Sequence, residues 1–150
     1  MASEIAMSRE DVRPGEFELI ARHFAPIAGR DGLGLLDDAA LLRPARGYEL
    51  VVTADALVAG VHFFPDDPAG SIARKALAVN LSDLAAKGAR PDGFVLTLAL
   101  PKGWAEDWLA AFAAGLAAVA GEAGCPLIGG DTVSTTGPLT LSITAFGSVP

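Results

Sequence analysis

The segment "LAVNLSDLAAKG", residues 77–88, constrains the fold more than any other part of this sequence. It closes a helix-forming run, residues 69–88, so rich in Leu, Ala and Val that nearly every side must be covered. Gly88 and Pro91 end it. A second run, "KGWAEDWLAAFAAGLAAVAGEAG" (102–124), sets Leu109, Phe112, Leu116 and Val119 on one face, with Glu106 and Asp107 at its positively polarised N-terminal end. Two such helices need a second layer, and short apolar segments supply it. Strands are expected at 49–55, at 61–64 after a break, and over "GFVLTLALP", "PLIGG" and "PLTLSITAFGSVP". "PDDP" is a turn. Ahead of these, Phe17, Ile20, Phe24 and Ile27 recur at helical spacing, and "GRDGLGLLDDAALL" is a glycine-punctuated loop. The order α-β-β-α-β-α-β-β favours a two-layer α+β domain, with helices packed on one face of a mixed, mostly antiparallel sheet.

One domain accounts for 150 residues. The net charge of −7 gives no basic patch for nucleic acid or an anionic membrane. An acidic chain still binds phosphates when metal ions bridge them. Cys125 is the single cysteine, so an intrachain disulfide is excluded, and a reducing cytoplasmic setting is expected. No secretory signal is legible in "MASEIAMSREDVRPGE", and "WLAAFAAGLAAVAG" is too short and alanine-rich to span a bilayer. Residues 1–14 are expected to be mobile. The strands are apolar enough that the uncovered sheet face needs a partner.

The standard nucleotide motifs are missing. There is no Walker A loop, and "GLGLLD" has Asp37 where a dinucleotide fingerprint needs its third glycine. Two histidines rule out a multi-histidine zinc site. What remains is a set of aspartates beside apolar segments: Asp37 and Asp38, Asp55, Asp83 and Asp131. Singly, each has an ordinary explanation as a helix cap, an Asx-turn, an i,i+4 partner of Lys87 or a turn residue. If the segment ends converge, the acids form a cluster that only cations can neutralise. Hard oxygen ligands point to Mg²⁺, shared with substrate phosphates. Gly129 and Gly130 would admit a phosphate close to the backbone. Helix geometry puts Asn80, Asp83 and Lys87 in one narrow polar stripe. That stripe is either solvated or faces a polar cavity, and the spacing does not decide between them.

The strings "GEFELIARHFAP", "DDAALL", "ADALVAGVHFFPDDP", "KALAVNLSDLAAKGARP" and "LIGGDT" occur in this order. Together they resemble the N-terminal half of the bacterial thiamine-monophosphate kinases, within the superfamily of aminoimidazole ribonucleotide synthetase and selenophosphate synthetase. The likeness runs from about residue 15 to residue 150. It implies ATP-dependent phosphorylation of thiamine monophosphate to thiamine diphosphate with several Mg²⁺ ions. It also implies a homodimer whose N-terminal sheets pair into a β-barrel. By position, it makes Asp37, Thr53, Asp55, Asp83 and Asp131 metal ligands. His62 becomes a contact for thiamine monophosphate, and Gly130 and Asp131 become ATP-binding residues.

Three departures from the family pattern stand out. Leu36 replaces a usual glycine before the acidic pair. Ala54 replaces a frequent hydroxyl residue, so a contact there must use the backbone. The run after Asp131 is longer than usual. The resemblance further implies a C-terminal domain beyond residue 150, without which residues 1–150 are expected to be inactive. The alternatives are another ATP-using enzyme of the superfamily, or a non-catalytic dimerisation or nucleotide-binding module.

Overall fold

The computed structural model describes residues 14–150. The expected mobility of residues 1–14 lies, apart from Pro14, outside the described residues. The first helical stretch is not one amphipathic helix. It is a single α turn, α1 (Glu16–Leu19), then a π turn at Ile20–Phe24 and 3₁₀ turns at Ala25–Ile27 and Arg30–Leu35. Pro26 explains the change, since its ring cannot continue an α-helix. Of the expected apolar face only Phe24 is buried; Ile20 and Ile27 are half-buried, Phe17 is exposed, and Leu19, off that face, is buried instead.

Two long helices follow, α2 (Ala69–Ala86) and α3 (Glu106–Ala123). The end of α2 is closed by two hydrogen bonds, Gly88 N–H to the Ala85 carbonyl and Ala89 N–H to the Leu84 carbonyl, both 2.9 Å. The helices meet at a backbone-to-backbone crossing. A Cβ added at Gly115 of α3 would lie 2.5 Å from the Gly70 Cα of α2. Arg74 and Glu122 clamp the same pair of helices with bonds of 2.7 and 2.9 Å.

Among the described residues four strands form one sheet in the order β1-β4-β2-β3: β1 (Glu49–Val58), β2 (Arg90–Pro101), β3 (Leu127–Thr135) and β4 (Thr140–Val149). β4 is antiparallel to both β1 and β2, and β3 runs parallel to β2 through the α3 crossover. This is the mixed, mostly antiparallel sheet expected. Along β1 and β4 the odd-numbered residues face the helices. Leu57, Leu141, Ile143 and Ala145 are buried there with Leu96 and Leu98 of β2 and with Ile72, Leu77, Leu109, Phe112 and Leu116 of the helices. The other face carries exposed Leu50, Val52 and Val133.

Three strand expectations change. β1 does not break at Asp55 but continues to Val58. Residues 61–64 are a turn, held by a lone bridge between Ala59 and Phe63. Only Phe63 of that apolar run is buried, because the turn reverses the chain before any ladder can form. β3 continues past "PLIGG" to Thr135, so the run after Asp131 begins as strand and only residues 136–139 connect it to β4.

Candidate active site

Thr53 and Asp55 sit two residues apart on β1 and therefore point to the helix-covered side. Their register partners, Ala145 and Ile143, are buried core residues. Opposite them, α2 presents Asp83. The Thr53 hydroxyl donates to Asp83 Oδ2 at 2.9 Å, which joins strand to helix. Ala54 points to the open face, so its lack of a hydroxyl leaves the Thr53–Asp83 contact intact.

The polar stripe of α2 is resolved differently from either expectation. Asn80 is fully buried, on the same side as Ala73, Ala76, Leu77 and Leu84. Its Nδ2 donates to the Ala76 carbonyl at 3.0 Å, and its Oδ1 has no partner. Asp83 lies at the margin of this buried side and is exposed, as is Lys87. Asn80 does not orient Asp83; Thr53 does. Among the described residues no ion pair joins Asp83 to Lys87.

His62 occupies the turn after β1 and is exposed. Its Nδ1 accepts the Val58 N–H at 3.0 Å. Lys75 of α2 donates to the His62 carbonyl. No sequence signal marked Lys75, and only the path of the turn brings His62 over it.

The remaining predicted residues lie elsewhere. Gly130 and Asp131 are inside β3, at the opposite edge of the sheet. Gly130 has φ 152°, and a Cβ there would fall 1.9 Å from the Leu96 carbonyl oxygen. Only glycine fits, which leaves backbone unshielded beside Asp131. Asp37 is exposed in a bend, its carboxylate accepting the Asp38 N–H at 2.8 Å. The bend is reached through left-handed Leu33 (φ 51°), Gly34 (71°) and Leu35 (58°). Leu36, where the family has glycine, takes an ordinary φ of −102°, so the strain falls on Leu33 and Leu35 instead. The bend returns toward β3: Asp38 and Ala39 line one hollow with Gly129, Gly130, Val95 and Phe146.

The acids therefore form two groups, Thr53–Asp55–Asp83 at the β1 edge and the Asp37 bend with Gly130–Asp131 at the β3 edge. Among the described residues no three His, Cys, Asp or Glu side chains converge as a metal site. The topology accounts for this. Asp55, Ile143, Leu96 and Gly130 stand in one row across the sheet, three strand spacings, or about 14 Å, from end to end.

At the β1 edge the donors fit Mg²⁺. All are hard oxygens, two are carboxylates, and Mg²⁺ is commonly held by one or two carboxylates plus substrate phosphates. The orphaned Asn80 Oδ1 is a further oxygen acceptor on α2, one turn from Asp83.

Comparison with known proteins places this geometry. The family described as AIR synthase related protein, N-terminal domain, matches residues 36–149. A thiamine-monophosphate kinase of Caulobacter vibrioides is 48% identical over 139 residues, covering 91% of this chain and 40% of the relative. A solved thiamine-monophosphate kinase from Stenotrophomonas maltophilia K279a superposes with a TM-score of 0.76 at 52% identity, over 90% of this chain and 42% of that one. A solved complex of AaThiL with AMPPCP and TMP gives a TM-score of 0.67 at 26% identity, over 90% and 42%. The chain spans about two fifths of the length of these relatives.

Proposed function

The chain belongs to the AIR synthase related protein family, N-terminal domain, and from that premise we propose that it is the N-terminal part of an enzyme that phosphorylates thiamine monophosphate to thiamine diphosphate with ATP. The observation that carries this reading is the identity of about half, over nine-tenths of the chain, to proteins named for that kinase activity. The AaThiL complex with AMPPCP and TMP adds that a protein of this fold accommodates both kinds of ligand.

Both reactants are anionic phosphates, and their repulsion is the barrier the site has to lower. Mg²⁺, held by Thr53, Asp55, Asp83, Asp37 and Asp131, would offset that charge and polarise the transferred phosphoryl group. The residues of this chain position the reactants. Thr53 fixes the Asp83 carboxylate against β1. Gly130 leaves room for ATP against the backbone, beside Asp131. His62 meets thiamine monophosphate from the turn after β1. The acceptor phosphate oxygen is already ionised near neutral pH, so direct in-line attack needs no strong general base.

The two acid groups of one chain are about 14 Å apart by strand spacing, too far to share an ion. They lie on the two outer strands of the sheet, β1 and β3. A second copy pairing edge to edge would bring the β1 group of one chain to the β3 group of the other. This favours a homodimer closed as a barrel, and it gives the exposed Leu50 and Val52 face an interior to line.

The test is turnover of thiamine monophosphate and ATP by the full-length protein across a Mg²⁺ titration, with Asp83→Asn alongside. The expected outcome is Mg²⁺-dependent formation of thiamine diphosphate and a loss of roughly a hundredfold or more in the variant. Normal turnover by Asp83→Asn at saturating Mg²⁺ would overturn the ligand role. Absence of thiamine diphosphate from the parent protein would overturn the activity.

A further inference from the structure

His62 is a side chain with one nitrogen already spent. Its Nδ1 accepts the Val58 N–H, so in the neutral ring the proton sits on Nε2. The imidazole thus offers a donor outward, and the choice of tautomer depends on how well the turn holds Val58 against the ring. Local bonds shape that turn. Val61 N–H and His62 N–H both reach the Val58 carbonyl, at 3.1 and 2.9 Å, and Gly60 N–H reaches the Phe63 carbonyl at 2.8 Å. Downstream, Asp67 accepts the Phe64 N–H at 2.9 Å. The bonds to Val58 tie the base of the turn to the end of β1, and Ala59 N–H ties it to the Leu139 carbonyl at 2.9 Å.

Among the described residues one side-chain hydrogen bond ties the turn to α2: Lys75 Nζ donates to the carbonyl of His62 itself. Lys75 is on α2, the helix that also carries Asp83, two turns further along. Phe63 anchors the turn by burial, but its neighbours Val61 and Phe64 are exposed, and an apolar anchor does not fix orientation.

We propose that Lys75 is a positioning residue for His62: by holding the His62 carbonyl to α2 it keeps the ring on the Val58 N–H, so that Nε2–H is presented as a fixed donor to an acceptor atom of the substrate. This rests on the reading of His62 as a substrate contact. It gives α2 two tasks, setting a carboxylate with Asp83 and setting a neutral donor through Lys75. A phosphate oxygen or a ring nitrogen of the substrate has the acceptor chemistry that such a donor recognises.

Two measurements test it. Long-range proton–nitrogen NMR on the ligand-free 150-residue chain should show His62 as the Nε2–H tautomer. In Lys75→Met, which keeps the aliphatic stem, the tautomers should mix, and Lys75→Arg should restore the parent state. Lys75 is exposed, so the variants should fold, and Lys75→Gln provides a second removal. In the full-length protein Lys75→Met should raise KM for thiamine monophosphate roughly fivefold, with kcat and KM for ATP little changed. An Nδ1–H tautomer in the parent, or an unchanged tautomer and KM in both removals, overturns the proposal. Unchanged KM in His62→Ala overturns the substrate-contact reading separately, because the tautomer measurement needs no substrate.

Discussion

Replacing Gly115 by alanine tests how closely α2 and α3 are locked. The added Cβ would stand 2.5 Å from Gly70 Cα, 2.8 Å from its oxygen and 3.0 Å from its carbonyl carbon. Ordinary contact begins near 3.4 Å, so the helices must part by about 1 Å, and the obstacle is backbone that no rotamer change relieves. Overpacking of this kind costs about 1–3 kcal/mol. Alanine also favours the helix over glycine by about 1 kcal/mol, which would hide part of the loss. Gly121→Ala supplies the control. It lies in the same helix, its added Cβ meets nothing within 4 Å, and it gains the same propensity. The difference between the two variants therefore isolates the crossing. For a chain of this size each kcal/mol moves Tm by about 2–4 °C, so Gly115→Ala should melt roughly 2–12 °C below Gly121→Ala. Thermal unfolding followed by circular dichroism reads this directly. A Gly115→Ala melting point at or above that of Gly121→Ala would refute backbone contact between the helices. The proposed function is linked to this, because α2 carries both Asp83 and Lys75.

Three further outcomes are expected. Gly130→Ala should disrupt β3, since its Cβ would overlap the Leu96 carbonyl, and amide exchange should show lost protection over residues 131–135; retained protection would contradict the strand register. The hydrogen bond from Arg22 holds the Glu106 carboxyl below its usual pKa, so this pair stabilises the fold above the ordinary carboxylate range and ceases to as pH falls through the depressed value. In Arg22→Ala the NMR-monitored titration of Glu106 should move upward, and the stability deficit should vanish at low pH; a deficit that persists there would place the effect elsewhere. Burial pushes the Cys125 thiol up to about 11, so native protein should resist thiol reagents at pH 8 and react once unfolded. Rapid labelling of the native chain would show that the site is open.

The two long helices and the layer they cover were legible because apolar periodicity reports burial directly, and α2 begins at the expected residue, Ala69. Periodicity could not say which side of α2 meets the sheet. Asn80 therefore counted as part of a polar stripe, whereas it lies among core leucines with one amide bond satisfied inside its own helix. "GVHFF" read as a strand from composition, but a turn was chosen by the hydrogen bonds of Val58, which no pattern of side chains encodes. The acids were singled out from their place beside apolar segments, but which of them come together depended on strand order. That order is set by long-range pairing such as Glu49 with Val149, invisible to local sequence. Lys75 escaped notice for the same reason.

The place of β4 in the sheet bears on how the chain assembles as it is made. β4 is the last of the four strands in sequence and sits between β1 and β2. Until Thr140–Val149 has left the ribosome, β1 has no neighbour to pair with, and β2 can pair only with β3. A nascent chain can thus build the β2–α3–β3 crossover and then wait, with β1 and its Thr53 and Asp55 unplaced. Closure is a late, nearly all-or-none insertion into the middle of the sheet, made across the largest sequence separations in the fold. A pause in translation before residue 140 would leave the β2 edge open and β1 unpaired, and that interval is when a chaperone has most to shield.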